Sequence, residues 1–265
     1  MAITTLDGVI AAARQRVNYV KTASITSVAG IMFSTHHLAG NPGAGTLAGG
    51  NTANGVVPTD ATAGFPLINA FGGSNSGYLT GLQFSSSVAC NLVLYDRLFV
   101  AAAYSFNSNV TLATQPSYSS RVPGGTDFSG LELWVETVTA FTGNLSVAVT
   151  YTNESGVTGH TTGTVATGIA PTVGRIIQLP LAAGDTGIQK IESVVASVST
   201  VGTFNLVIAR RLATMRIPLA NYSDQWGFDR TGMPQVWANS ALAVAVQADS
   251  TATGLPFVCA EIRNG

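Results

Sequence analysis

The chain has 265 residues, a formal net charge of −1 and only 9 % charged residues, far below the ~25 % usual in soluble domains. Low charge combined with a positive mean hydropathy of +0.33 excludes a disordered chain, which needs the opposite combination. The basic residues are scattered and no apolar run reaches the length of a membrane span, so neither a nucleic-acid footprint nor a transmembrane segment is expected.

The N-terminal stretch reads as the one helix. Thr5 can cap "LDGVIAAARQRV", with Asp7 well placed in the first turn. Leu6, Val9, Ile10, Ala13 and Val17 fall at helical spacing and form one apolar stripe. A helix of about twelve residues is marginal alone in water, so the stripe must dock, either on its own domain or on a neighbouring subunit. Residues 1–20 are therefore expected to form a helical arm, and 21–265 a β-sandwich domain.

"GNPGAGTLAGGNTANG", residues 40 to 55, contains a match to the G-x-G-x-x-G/A phosphate fingerprint. That fingerprint works only between a strand and a helix whose N-terminus holds the phosphates. Here helix breakers follow up to Pro58, and the first acidic residue, Asp60, lies in the same loop. No nucleotide or other cofactor is expected. What remains is an almost uncharged segment, 40–73, long enough to be functional in its own right. Its composition suits an extended arm lying across a partner.

Beyond it the chain changes to short β-branched runs separated by Gly, Pro, Asn and Ser. "LELWVETVTA" alternates, with Leu131, Leu133, Val135 and Thr137 on one side and Glu132, Trp134 and Glu136 on the other. "LSVAVTYT" repeats the pattern, and "NESG" at 153 to 156 supplies a hairpin loop. An Asn-Leu pair opens an apolar strand three times, at Asn91, Asn144 and Asn205, each after a Gly-marked start at Gly77, Gly130 and Gly187. Recurring hairpin units of about 55 residues account for this weak repeat. Many short strands at even spacing predict an all-β fold, a β-sandwich or jelly roll with a short N-terminal helix and long extended loops.

Catalytic candidates are thin. His36 and His37 are adjacent, so on a strand they would point to opposite faces and could not grip one metal. Glu132 and Glu136 flank Trp134 like a glycosidase pair, but four residues of strand span about 13 Å, beyond the ~5–9.5 Å that such carboxyls need. The Gly-x-Ser-x-Gly elbow is absent from the sequence. No catalytic, cofactor or metal residue is assigned, and the chain is expected not to be an enzyme. Cys90 and Cys259 sit in apolar runs and read as buried free thiols, with a disulfide left open. The N-terminus lacks a secretory pattern, so the four Asn-x-Ser/Thr matches are not read as glycan sites.

Two classes of function survive. One is a structural protein that tiles into an assembly, supported by the charge-poor composition, the neutral arm and the short amphipathic helix. Ten of the twelve basic residues are arginines, the cation favoured at interfaces. The other is a binding module for a host surface or carbohydrate, with Trp134, Trp226 and Trp237 as stacking rings or interface anchors.

The stretches "HLAGNPGAGTLAGGNTANGVVPTDATAGFPLINAFGG", "LYDRLF", "GLELWVETVTAFTGNLSVAVTYTN" and "GRIIQLPLAAGDTGIQKIESV" resemble virion structural proteins of tailed bacteriophages, over roughly Lys21 to Leu219. The chain lacks the long spine helix and charged helical N-terminus of the usual major capsid fold. The resemblance therefore implies an accessory protein, a head decoration or cement subunit, or less simply a tail or neck component. It further implies a homotrimer or other symmetric oligomer bound to the phage major capsid protein, in virions assembled in the bacterial cytoplasm. Leu6, Val9, Ile10, Ala13, Val17 and the three tryptophans are the expected subunit-interface residues. Deleting residues 1–17 is expected to leave the sandwich folded and weaken assembly.

Overall fold

Alternating apolar residues have one economical solution, a sheet whose apolar face is buried against another layer, and the chain builds three such sheets. A computed structural model describes residues 5–71, 76–167, 171–197 and 201–264. In chain order α1 (Leu6–Ala11) leads to β1 (Arg14–Lys21), β2 (Met32–Ser34), β3 (Gly40–Asn41), β4 (Ser76–Ser86) and β5 (Cys90–Ser105). Next come β6 (Asn109–Thr111), β7 (Leu131–Thr139), β8 (Ser146–Asn153), β9 (His160–Thr161), β10 (Val165–Ala166), β11 (Ile176–Leu179) and β12 (Ile188–Ser197). Last are β13 (Thr203–Ile217), β14 (Ser223–Trp226), α2 (Phe228–Thr231), β15 (Gln235–Trp237), β16 (Leu242–Ala248) and β17 (Pro256–Asn264).

The fold is all-β, as the sequence predicts. The first sheet runs β14-β4-β17-β1-β3, with β15 also on β4. The second, built on the long strands β5 and β13, runs β11-β7-β13-β5-β16-β2. The third runs β10-β8-β12-β6, with β9 on β8. The second sheet curls until its edges meet: Phe33 bridges Arg175, and the Ser34 N–H donates to the Gly174 carbonyl at 2.7 Å.

Two apolar cores flank this curled sheet. One joins it to the first sheet through Leu79, Leu82, Phe84, Val258 and Ile262 against Leu92, Val244, Val246 and Met215. The other joins it to the third through Leu133, Val135, Leu206 and Ile208 against Val147, Val149, Ile191 and Val194. Each such side chain, taken fully out of water, contributes about 1.5–3 kcal/mol before the entropy of ordering it.

Several expectations are corrected. The helix spans six residues, because Ala12 already has extended dihedrals (φ −63°, ψ 136°). From Arg14 the chain alternates with period two, and Val17, Tyr19 and Lys21 are buried. Pairing with β17, which sets Val17 opposite Ala260, outweighs helical spacing, so Ala13 and Val17 belong to no helical stripe. A deletion to residue 17 would cut into a strand paired with both β17 and β3.

Segment 40–73 is not an arm reaching outward. Its described residues pack on their own chain, burying Leu47, Phe65, Ile68 and Phe71. Val56 exchanges two backbone hydrogen bonds with Val100, at 2.8 and 2.9 Å. Gly55 holds φ +68° there, with Phe99 where a Cβ would sit. The Gly-marked starts do open strands, Gly77 as the second residue of β4 and Gly130 and Gly187 just before β7 and β12, but the repeat units are not hairpins. β4 and β5, β7 and β8, and β12 and β13 each lie in different sheets. The 153–156 turn does make a hairpin, placing His160 opposite Tyr151. Both cysteines are free, Cys90 buried and Cys259 partly so.

Candidate functional site

A charged pair inside an apolar strand run needs two separate sets of partners, because neighbouring strand residues face opposite ways. Asp96 and Arg97 of β5 are such a pair. Asp96 accepts from Arg121, from Ser240 Oγ at 2.7 Å and from the Ala241 N–H at 2.9 Å. Arg97 meets Glu136 with two hydrogen bonds, 2.8 and 2.5 Å. Asn205 Nδ2 donates to Glu136 at 2.8 Å and to the Leu47 carbonyl at 2.7 Å. Lys21, 1 % exposed, gives its ammonium to the carbonyls of His36, Leu38 and Pro42 at 3.4, 3.1 and 3.0 Å.

The histidines fall beside this network. Ser34 Oγ lies 2.7 Å from His36 Nδ1, and Glu136 Oε1 lies 3.7 Å from the same nitrogen. A nucleophile–base–acid relay places serine and acid on opposite nitrogens; here both face one. Glu136 is also committed to Arg97, and Ser34, His36 and Glu136 are all buried. Burial holds His36 down to about 3, so the ring stays neutral, stacked on Phe65 with centroids 5.3 Å apart. Burial alone would raise the Glu136 carboxyl, but Arg97, with His36 and Asn205, more than offsets it and holds the group well below the carboxylate range. His37 stands edge-on to His36 rather than on an opposite strand face. No cluster with metal-ligand composition occurs among the described residues. The network holds charges in place; it offers no substrate access to them.

The tryptophans separate. Trp134 is 2 % exposed, packed on Tyr95 with centroids 4.9 Å apart, and its N–H donates to Glu132 at 2.9 Å. Glu136 on the same strand side is buried too. Trp237 is buried beneath the Arg210 guanidinium, 4.5 Å from the ring centroid. Neither ring is available for stacking on a ligand. Trp226 is partly buried, edge-on to Phe84 at 5.3 Å, with Arg230 over it at 5.4 Å.

Trp226 meets the helix. A cleft of about 270 Å³ on the outer side of the first sheet brings together Leu6, Val9, Ile10, Trp226 and Phe228. Gly81 and Cys259 also line it. Leu6 is 56 % exposed, Ile10 66 % and Phe228 43 %, an apolar rim open to solvent. Thr5 caps α1 by accepting from Gly8 N–H at 3.1 Å, and Arg263 donates to the carbonyls of Val9 and Ile10 at 2.7 and 3.2 Å. Four of the eight expected interface residues thus line one cleft. Ala13 and Val17 lie off it, and Trp134 and Trp237 are inside the fold.

No protein-family model matches the chain, and no curated protein matches it. Among solved structures it is similar to the infectious bursal disease virus VP2 subviral particle, at 11 % identity, 94 % of this chain, 78 % of that chain and a TM-score of 0.22. The T13 particle of the same virus matches at 10 % identity over 95 % of this chain and 77 % of that chain, TM-score 0.19. The Gx strain structure matches at 12 % identity over 95 % and 80 %, TM-score 0.17. At such scores the backbones do not superpose as one fold, and the likeness carries nothing further.

Sequence reasoning missed the Arg97–Glu136 and Asp96–Arg121 pairs. The signal was present in "LYDRLF", two adjacent charges in a strand too apolar to be exposed on either side.

Proposed function

We propose that the chain is a non-enzymatic structural subunit of a virion, a head decoration or cement protein that joins the shell as a symmetric oligomer. The observation that carries this reading is the apolar cleft rim, where Leu6, Ile10 and Phe228, all exposed, gather around one groove with Val9 and Trp226. Exposed apolar groups gathered around a groove mark protein contact surfaces.

The rest of the surface supports it. Five of the twelve basic residues (Lys21, Arg97, Arg121, Arg175, Arg210) and two of the thirteen acidic ones (Asp96, Glu136) are buried. That leaves eighteen charged residues of the chain's twenty-five outside the core, still few for 265 residues. A freely diffusing monomer normally carries more charge to stay soluble. In a lattice of many copies, weak contacts at this rim are multiplied by repetition.

Leu6→Asp combined with Ile10→Asp is expected to lower the sedimenting mass of the oligomer without lowering its melting temperature. Both side chains are largely solvated in the single subunit, so its fold gains little from them. An unchanged oligomer in this variant contradicts the cleft as the contact. A deletion that tests the same point must stop before Arg14, where β1 begins.

A further inference from the structure

A groove of about 810 Å³ lies among the 113–119 segment, the 125–128 turn, the β8–β9 turn and the start of β12. It shares no lining residue with the cleft at α1. Its volume falls in the ~300–1,000 Å³ range of small-ligand sites.

Its walls are fixed by committed polar groups. Gln115 Nε2 donates to the Ile191 carbonyl, and the Tyr118 hydroxyl donates to the Gln189 carbonyl at 2.7 Å. Glu154 Oε2 accepts the N–H groups of Thr186 and Gly187 at 3.1 and 3.2 Å. The Tyr118 and Phe128 rings meet edge to face with centroids 5.9 Å apart, a rigid apolar element in the lining.

Other lining side chains are uncommitted. Thr114, Thr126, Gln189 and Lys190 line the groove and make no side-chain hydrogen bond to any described residue. Together they present hydroxyl, amide and ammonium groups, both donors and acceptors. Gly156 lies beside the Gln189 amide, whose Oε1 is 3.6 Å from where a Cβ would stand.

This chemistry selects among ligands. Glu154 and Lys190 are the only charged lining residues and cancel, so no net field holds an anion or a cation. An extended peptide needs an open sheet edge, but along the groove β12 pairs with β8, and its Gln189 and Ile191 carbonyls already accept from Tyr118 and Gln115. A purely apolar ligand would leave the uncommitted amide and hydroxyls unpaired. We propose that the groove binds a neutral polyhydroxylated ligand, an oligosaccharide such as cell surfaces display. Hydroxyls would pair with Thr126 and Gln189, with the Lys190 ammonium as a further donor. This adds a ligand to the assembly role and does not depend on it.

The test uses the full-length protein and printed neutral (glucose, galactose and N-acetylhexosamine oligomers) and anionic (sialylated, sulfated) oligosaccharides, followed by titration of the best binder. Saturable binding to at least one neutral oligosaccharide is expected, weakened about tenfold in Gln189→Ala and again in Thr126→Ala, the loss typical of one hydrogen bond to each. Both side chains are unbonded within the fold, so melting temperature and oligomer mass are expected to stay unchanged. Binding restricted to anionic oligosaccharides, binding that survives the double variant, or no binding to any neutral oligosaccharide would overturn the proposal, whether or not the protein assembles.

Discussion

Arg97 on β5 and Glu136 on β7 reach across the intervening β13 to form two parallel hydrogen bonds, 2.8 and 2.5 Å long, with both side chains almost wholly buried. Asn205, on that intervening strand, completes the staple and ties it to Leu47 of the long loop. Removing one partner strands a buried charge at a cost of about 3–5 kcal/mol, whereas replacing both with apolar groups is far milder. Arg97→Met and Glu136→Leu are each expected to destabilise by that amount in urea unfolding, and the double variant by clearly less than their sum. Additive losses would show that the pair is not coupled.

Acid should unfold the protein through the same network. His36 titrates near 3 in the fold, below its ordinary value of about 6.5, so the unfolded chain takes up the proton first. Stability contributed by the neutral ring is therefore complete above about pH 6.5 and falls towards pH 3, by up to ~1.4 kcal/mol per pH unit. His37 is depressed as well, first by burial, and adds to the same slope. Glu136, held low by Arg97 against burial, adds its own loss below about pH 4.3. His36→Gln is expected to flatten the limb between pH 6.5 and 4.5 markedly. An unchanged slope there would remove His36 from the account.

Lys21 is predicted to be chemically silent. The chain has two lysines, and the other, Lys190, is exposed. Burial lowers Lys21 to about 8, which would favour reaction with acylating reagents, but its nitrogen is enclosed by three carbonyls. Mass spectrometry after mild acylation at neutral pH should find Lys190 modified and Lys21 modified only in denaturant. Equal labelling in the folded protein would mean that the 36–42 segment opens readily.

Gly55→Ala tests the seating of the long loop. An added Cβ would stand 2.0 Å from Phe99 Cζ, at a φ of +68° that disfavours side chains. A loss of about 2 kcal/mol or more is expected from overpacking and backbone strain together. A neutral effect would mean that the 51–58 segment is not held against β5.

The strand pattern was legible because alternation is local. Leu131, Leu133 and Val135 show their period without knowledge of what lies opposite them. The helix end was not legible, since Val17 fits a helical stripe and a strand equally well, and only β17 decides between them. The loop misled for a related reason. Gly40 to Gly73 carries one charge, Asp60, and lacks strand periodicity, yet Phe65, Ile68 and Phe71 are anchors whose docking places lie far away in sequence. For the tryptophans, residue type could not separate interior from surface. Trp134 and Trp226 differ only in what the sheets bring over them.

The most direct measurement is the molar mass by light scattering, for the protein alone and after mixing with phage heads that lack it. A symmetric oligomer taken up saturably at a fixed copy number per head, with uptake lost in Leu6→Asp/Ile10→Asp, is the predicted result. A monomer, or an oligomer that never binds heads, would contradict the proposed role as a shell-bound subunit.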